Sequence, residues 1–349
     1  MTHVPNLIAV FGWSAIAFLV TLLLTPTFLK LAVRFKLGKQ IRDVAMDGKA
    51  ATIFHELHAK KSGTPTMGGV VMWVSVLIVV LLSRLLAYFG WIPQSLLNRG
   101  EVYLPLFTLV AVGILGAVDD LFNVYQYKGG KGIKAKPKFL WLTAFAIMGA
   151  LWFYYKLGFS SIHIPRVGDF SIGWWYIPLF ILVIVSTSNA VNLTDGLDGL
   201  AGGLLVFAFI AFGAIAYAKG LTMLALFCGI LIGSLLAFLW NNVPPALFYM
   251  GDTGALAFGA TLGVIAMMTN SLIVLLIVGG VFIIETLSVI IQLVSKKCFG
   301  KKVFLIAPIH HHFEKLGWGE SKVTMRFWII GGMFSVVGLI IGLIGMGNG

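Results

Sequence analysis

Long apolar stretches alternate with short polar breaks along almost the whole chain. A helix needs about 20 apolar residues to cross the roughly 30 Å hydrocarbon core of a bilayer. Ten stretches approach or reach that length, near residues 7–29, 67–89, 103–118, 139–156, 174–191, 201–218, 222–240, 254–268, 272–295 and 327–346. The pattern predicts an all-α polytopic membrane protein of about ten transmembrane helices, organised as one integral membrane domain over residues 1–349. No internal repeat, low-complexity tract or linker divides it. The first stretch lacks a small-residue cleavage pattern and is followed by Lys30, Arg34 and Lys36, so it is expected to stay as a helix rather than leave as a signal peptide.

Composition agrees with this pattern. Hydrophobic residues make up 59%, charged residues 11%, and the mean hydropathy is +0.97, which exclude an ordinary soluble domain. A net charge of +12 raises nucleic-acid binding as a reading, but the distribution of the cations removes it. The breaks after odd-numbered stretches (30–66, 119–138, 192–200, 241–253 and 296–326) carry 20 of the 25 Lys and Arg residues. The positive-inside rule makes that face cytoplasmic, and an even number of spans puts both termini on the periplasmic side.

The acidic residues collect on the same face, 10 of 13, with five of the seven histidines. Membrane topology does not require this. Carboxylates, histidines and lysines gathered from several loops have the make-up of an active site built from distant segments. Cys228, inside an apolar stretch, and Cys298, in a loop, offer neither a disulfide nor a metal-ligand spacing.

The loops carry distinct chemistry. GAVDDLFNVY places Asp119 and Asp120 at the end of the third span. Adjacent helical positions point about 100° apart, so the two carboxylates face different partners, such as a cation and a lysine. Negative charge is disfavoured at a helix C-terminus, which argues for a compensating cation. The following YKGGKGIKAKPKFLW holds Lys128, Lys131, Lys134, Lys136 and Lys138, a composition that suits phosphate or lipid headgroups.

In VNLTDGLDGL, Asn192, Asp195 and Asp198 recur at spacing three between permissive glycines, without the 12-residue pattern of a calcium loop. WNNVPPALFYMGDTG brings Asn241, Asn242 and Asp252 to a polar bend. Asp252 could cap the next helix as well as bind a cation, and Tyr249 could stack on a flat ring. FLIAPIHHHFEKLGWGE contains His310, His311 and His312, for which zinc is a poor fit because consecutive residues rarely converge on one ion; phosphate contact by the ring N–H groups is preferred. HAKKSGTPTMGG sets Lys60 and Lys61 beside an ordered turn.

Together the strings KSGTPTMGG, GAVDD, NAVNLTDGLDGLAGG, the run from Asn242 through YMGDTG, and APIHHHFEKLGW followed by RFW resemble the bacterial phospho-N-acetylmuramoyl-pentapeptide transferases, within the polyprenyl-phosphate N-acetylhexosamine-1-phosphate transferase superfamily. The resemblance spans most of the chain. It implies ten helices in the bacterial inner membrane with catalytic loops in the cytoplasm. It also implies transfer of phospho-MurNAc-pentapeptide from UDP-MurNAc-pentapeptide to undecaprenyl phosphate, with UMP released and Mg2+ as cofactor. On this resemblance Asp119, Asp120 and Asp252 form the acidic catalytic group, with Asp252 first for the metal. His311 and His312 join them in catalysis, and His310 joins the substrate contacts. Lys61, Asn189, Asn192, Asp195, Asp198, Asn242, Tyr249 and Lys138 are the further substrate-binding positions, with Asp198 either sharing Asp195's contact or ordering the loop. Tyr249 stands where the family usually has Phe. The family also carries Lys three residues after the second aspartate, where this chain has Asn123, leaving Lys128, Lys131 or Lys138 to supply that charge.

Two other functions remain as alternatives. One is a GlcNAc-1-phosphate transferase of the same superfamily, against which HHHFE and TPTMGG weigh. The other is a secondary transporter, suggested by Glu285 inside the ninth span and opposed by the clustering of the other acids at one face. Peptide composition, lipid length and the choice between direct and two-step transfer are not in the sequence. The oligomeric state stays open as well, with a homodimer among the alternatives.

Overall fold

A computed structural model of the protein describes residues 3–38, 63–98, 100–125 and 135–346. Within them twelve α-helices follow in order: α1 (His3–Arg34), α2 (Gly69–Tyr88), α3 (Gly100–Val124), α4 (Ala135–Leu151), α5 (Tyr176–Thr194), α6 (Leu200–Ala218), α7 (Thr222–Asn242), α8 (Gly251–Met268), α9 (Leu272–Val278), α10 (Gly280–Phe299), α11 (Ile309–Lys315) and α12 (Glu320–Ile344). Nine segments are long and apolar enough to cross a membrane, or ten if α9 and α10 make one span, as the hydrophobic pattern predicts. The protein is multi-pass.

The layers follow from burial. Within an apolar 18-residue window of each span, 83% of the residues are buried in α8, 78% in α7 and 72% in α6, against 11% in α1 and 28% in α12, so the first three are the core and the last two line the outside. Helix α8 packs on α3, α5 and α2, α7 packs on α1 and α6, and α12 closes over α6 and α9. Helices α4 and α5 carry Pro137 and Pro178 in their first turns, where a missing N–H leaves no bond unmade.

Two features depart from the sequence expectation. The ninth span is broken: α9 and α10 meet at 76° at Gly279–Gly280. The missing side chain at Gly280 lets the ring of Phe334 approach so closely that a Cβ there would lie 2.6 Å from it. Past the bend, Ile284, Leu287, Ile290, Ile291 and Leu293 stay exposed. The second feature lies between α4 and α5, where the chain forms a hairpin of β1 (Ser161–Ile164) and β2 (Gly168–Ser171), paired antiparallel with Ser161 opposite Ser171. Cys228 and Cys298 are both free.

Candidate active site

Helix α8 starts at Gly251, whose φ of +70° is strained for any other residue. A Cβ there would also meet Asp120 Oδ2 at 2.5 Å. Asp120 reaches this point from α3. Its Oδ1 accepts the Asp252 N–H at 3.2 Å, and its Oδ2 accepts the Thr253 N–H at 3.0 Å and the Thr253 hydroxyl at 2.7 Å. A carboxylate placed on unpaired N–H groups at a helix start is stabilising by both hydrogen bonding and the macrodipole. The capping role expected of Asp252 therefore belongs to Asp120, because Asp252 already lies within the first turn.

Asp252 is thereby aimed elsewhere. Its Oδ1 accepts the Asn192 Nδ2–H from the end of α5 at 2.5 Å, and its Oδ2 accepts a hydrogen bond from Lys138 Nζ at the start of α4. The same ammonium donates to Asp119 Oδ2 at 2.9 Å. Four helix ends thus meet in one cluster, in which α3 and α8 share the ammonium of α4 and α5 joins through Asp252. Three carboxylates, Asp119, Asp120 and Asp252, face one ammonium, and Asp119 and Asp120 are buried, so a further cation would be stabilised here. Among the described residues no three His, Cys, Asp or Glu side chains converge closely enough to hold a metal by themselves. Mg2+ is commonly bound through one or two carboxylates together with substrate phosphates. Asp119 and Asp252, the two that already share a cation, fit that donor set, whereas both oxygens of Asp120 are engaged by α8.

The loop between α5 and α6 is clamped from two sides. The Asp198 N–H donates to Glu320 Oε1 at 2.8 Å, its carbonyl accepts the Thr324 hydroxyl at 3.2 Å, and its Oδ2 accepts the Ala246 N–H at 3.0 Å. Trp328 Nε1 donates to the Gly199 carbonyl at 3.1 Å. Asn242 accepts the Gly199 N–H at 2.9 Å and donates to the Phe248 carbonyl at 2.8 Å. Asp195 stands partly exposed at the C-terminal end of α5, and Asn189 turns its amide back to the Val185 carbonyl at 2.8 Å. Tyr249 is buried, and its backbone pairs with Pro65 and Gly68, which seats the TPTMGG turn against the start of α8.

Helix α11 carries the three histidines into different surroundings. His310 is fully buried and its Nδ1 shares a hydrogen bond of 2.9 Å with Glu285 Oε2 of α10, itself fully buried. His311 Nδ1 pairs with Glu314 Oε2 at 2.6 Å. His312 Nδ1 accepts the Leu305 N–H at 3.2 Å. Gln292, two turns beyond Glu285 on α10, accepts the N–H groups of Val303 and Phe304 at 3.0 Å each and holds the loop that leads into α11.

The same segments match known proteins. A family signature described as "Glycosyl transferase family 4" covers residues 102–270. A "Phospho-N-acetylmuramoyl-pentapeptide-transferase" of Geobacillus thermodenitrificans is 39% identical over 331 residues, 94% of this chain and 96% of the relative. Proteins of the same name from Oceanobacillus iheyensis, 42% identical over 93% of this chain and 95% of the relative, and Desulforamulus reducens, 40% identical over 94% of each, align along similar lengths. The chain belongs to the phospho-N-acetylmuramoyl-pentapeptide transferase family.

Family membership brings the expected positions of the sequence to account. The structure gathers Asp119, Asp120, Lys138, Asn192 and Asp252 into one cluster. Of the lysines that could supply the charge absent at Asn123, Lys138 lies in this cluster, while Lys128 and Lys131, like Lys61, lie outside the described residues. Asp198 orders its loop, and Asn242 has both ends of its amide on backbone groups. His310 was expected at the substrate but is sealed from solvent. Glu285, which suggested a transporter, is its partner. The sequence did not point to Glu285, Gln292, Glu320 or Thr253 as parts of the site. Glu285, Ser288 and Gln292 do form a polar stripe at helical spacing in an apolar segment, which was the available signal.

Proposed function

We propose that this transferase moves phospho-MurNAc-pentapeptide from UDP-MurNAc-pentapeptide to undecaprenyl phosphate in the bacterial cytoplasmic membrane, for peptidoglycan synthesis. The chain acts as one integral membrane domain, with the Asp119–Asp252 cluster on the cytoplasmic face and both termini across the membrane. The observation that carries this reading is the shared ammonium of Lys138 between Asp119 and Asp252, in a chain about 40% identical to named transferases along nearly its whole length.

In the transfer, an oxygen of undecaprenyl phosphate bonds to the sugar-linked phosphorus and the bond from that phosphorus to the bridging oxygen breaks, so UMP leaves with the bridging oxygen and the electron pair. The barrier is dominated by positioning and by charge on the phosphoryl oxygens. Lys138 places one positive charge beside them. Asn192 fixes the rotamer of Asp252, and Asp120 fixes its backbone, so the Asp252 carboxylate needs little reorganisation when the diphosphate enters. Asp252 and Asp119 would hold Mg2+, whose chemistry there is neutralisation of phosphoryl oxygens. Asp195, half-buried at the end of α5, contacts the nucleotide, with Tyr249 stacking on its base, while His311 and His312 meet phosphate or sugar.

The test is an assay of the purified protein with undecaprenyl phosphate, with and without Mg2+, following UMP and the lipid-linked product. UDP-MurNAc-pentapeptide should be consumed only with the divalent ion present. Preferential use of UDP-GlcNAc, or no UMP from either sugar nucleotide, would overturn the assignment.

A further inference from the structure

At the other end of the bundle lies a second polar concavity. Helices α6 and α12 both start at the catalytic end, beside Gly199 and Glu320, and both finish at this one. The cavity has a volume of about 400 Å3 and is lined by His163, Arg166 and Asp169 of the hairpin, Lys219 after α6, and Gly345 and Met346 at the end of α12. That volume is within the range of ligand pockets. Arg166 and Lys219 are two of only five basic residues outside the cation-rich loops, so a face otherwise poor in positive charge concentrates it here.

The walls are built and held. Lys219 Nζ donates to the Thr269 carbonyl, and Asn270 Oδ1 accepts the His163 N–H at 3.0 Å, which ties the hairpin to the α8–α9 connection. His163 Nδ1 pairs with Asp169 Oδ1 at 2.8 Å. Arg166 occupies the third position of the turn closed by the Val167 N–H on the Ile164 carbonyl, with φ +67°. That position favours glycine, so an exposed arginine is kept there against its backbone preference. Local strain of this kind collects at binding sites.

The cations Arg166 and Lys219 exceed the carboxylate Asp169 by one formal charge, which matches a monoanion. Burial lowers the pKa of Lys219 and Asp169 acts in the opposite direction, so a second anion nearby would favour the charged ammonium further. Exposed Trp152, Tyr155, Trp174 and Trp175 flank the hairpin in sequence. Such aromatic residues sit at the level of lipid headgroups.

We propose that this cavity binds a singly charged phosphate group, presented either as the phosphodiester of an anionic phospholipid or as free phosphate, on the face opposite the transferase site. The binding is independent of the proposed reaction, and its loss leaves turnover unchanged.

Native mass spectrometry of the full chain in detergent, supplied with phosphatidylglycerol or phosphatidylcholine of the same acyl chains, tests the lipid arm. Thermal unfolding in phosphate against chloride at equal ionic strength tests the free anion. The wild type should retain phosphatidylglycerol about fivefold or more over phosphatidylcholine, with each basic residue removed costing about fivefold. Arg166→Gly separates binding from folding, because glycine adopts φ +67° freely: stability holds or rises while retention falls. Arg166→Gly with Lys219→Gln should abolish the preference. A phosphate-dependent rise in melting temperature that the double variant lacks points to the free anion, and lipid preference without that rise points to the headgroup. Equal retention of both lipids with no phosphate response, or a preference that survives the double substitution, overturns the site.

Discussion

Gly196 and His310 meet with no room for a side chain between them: a Cβ on Gly196 would lie 2.2 Å from His310 Nε2. The loop after α5 and the histidine helix α11 are therefore seated directly on one another, and Glu285 fixes the imidazole from behind. Gly196→Ala should push the two apart and lower turnover by about tenfold or more, since small displacements of reacting groups are costly. In a His310→Ala background the added methyl should be tolerated. A double-mutant cycle measures this coupling, and additive losses would show that the contact does not transmit the effect.

Glu285→Ala leaves His310 Nδ1 buried without its partner. Leaving a buried group without its hydrogen-bond partner in this way costs about 1–3 kcal/mol. Glu285→Gln retains a hydrogen bond and should cost clearly less. Thermal unfolding in a fixed detergent compares the two, and equal destabilisation would mean that the packing of the side chain, rather than its bond to His310, matters.

Lys138→Gln removes the ammonium shared by Asp119 and Asp252. Loss of one preorganised charge at a phosphoryl site is expected to lower turnover about 100-fold or more, with Lys138→Arg recovering part of it. Turnover within a few-fold of wild type in the glutamine variant would transfer the role to a lysine of the 126–134 segment.

Asp120 and Asp252 should separate by their signatures. Asp120→Ala removes the cap on α8 and should lower stability by about 0.5–2 kcal/mol along with turnover. Asp252→Asn should leave the melting temperature almost unchanged, lower turnover by orders of magnitude, and raise the Mg2+ concentration needed for half-maximal rate. Melting curves and Mg2+ titrations on both variants check this. An unchanged Mg2+ requirement in the Asp252 variant would remove it from the metal role.

Asp195→Asn should chiefly raise the Michaelis constant for the sugar nucleotide if Asp195 reads the nucleotide in ground and transition states alike. Steady-state kinetics at varied UDP-sugar and varied Mg2+ decide it. A turnover defect rescued by extra Mg2+ would make Asp195 a metal ligand instead.

The hydrophobic pattern alone located the ten apolar spans, and the motif strings pointed to the family, because both are local in sequence. Apolar length reports transfer into a bilayer, and a string such as NLTDGLDG or HHHFE keeps its meaning wherever it folds. The pairing of side chains is not local. Asp119 and Asp120 are neighbours in a strongly acidic motif, yet one faces Lys138 and the other caps α8, since adjacent helical positions point apart and only the packing of α3 on α8 and α4 decides which faces which. The three histidines look alike in sequence, and tertiary packing buries His310 against Glu285 while leaving His312 to a backbone N–H. The 76° bend was invisible to hydropathy, because both halves of the ninth span are apolar and the ring that packs on Gly280, Phe334, comes from another helix.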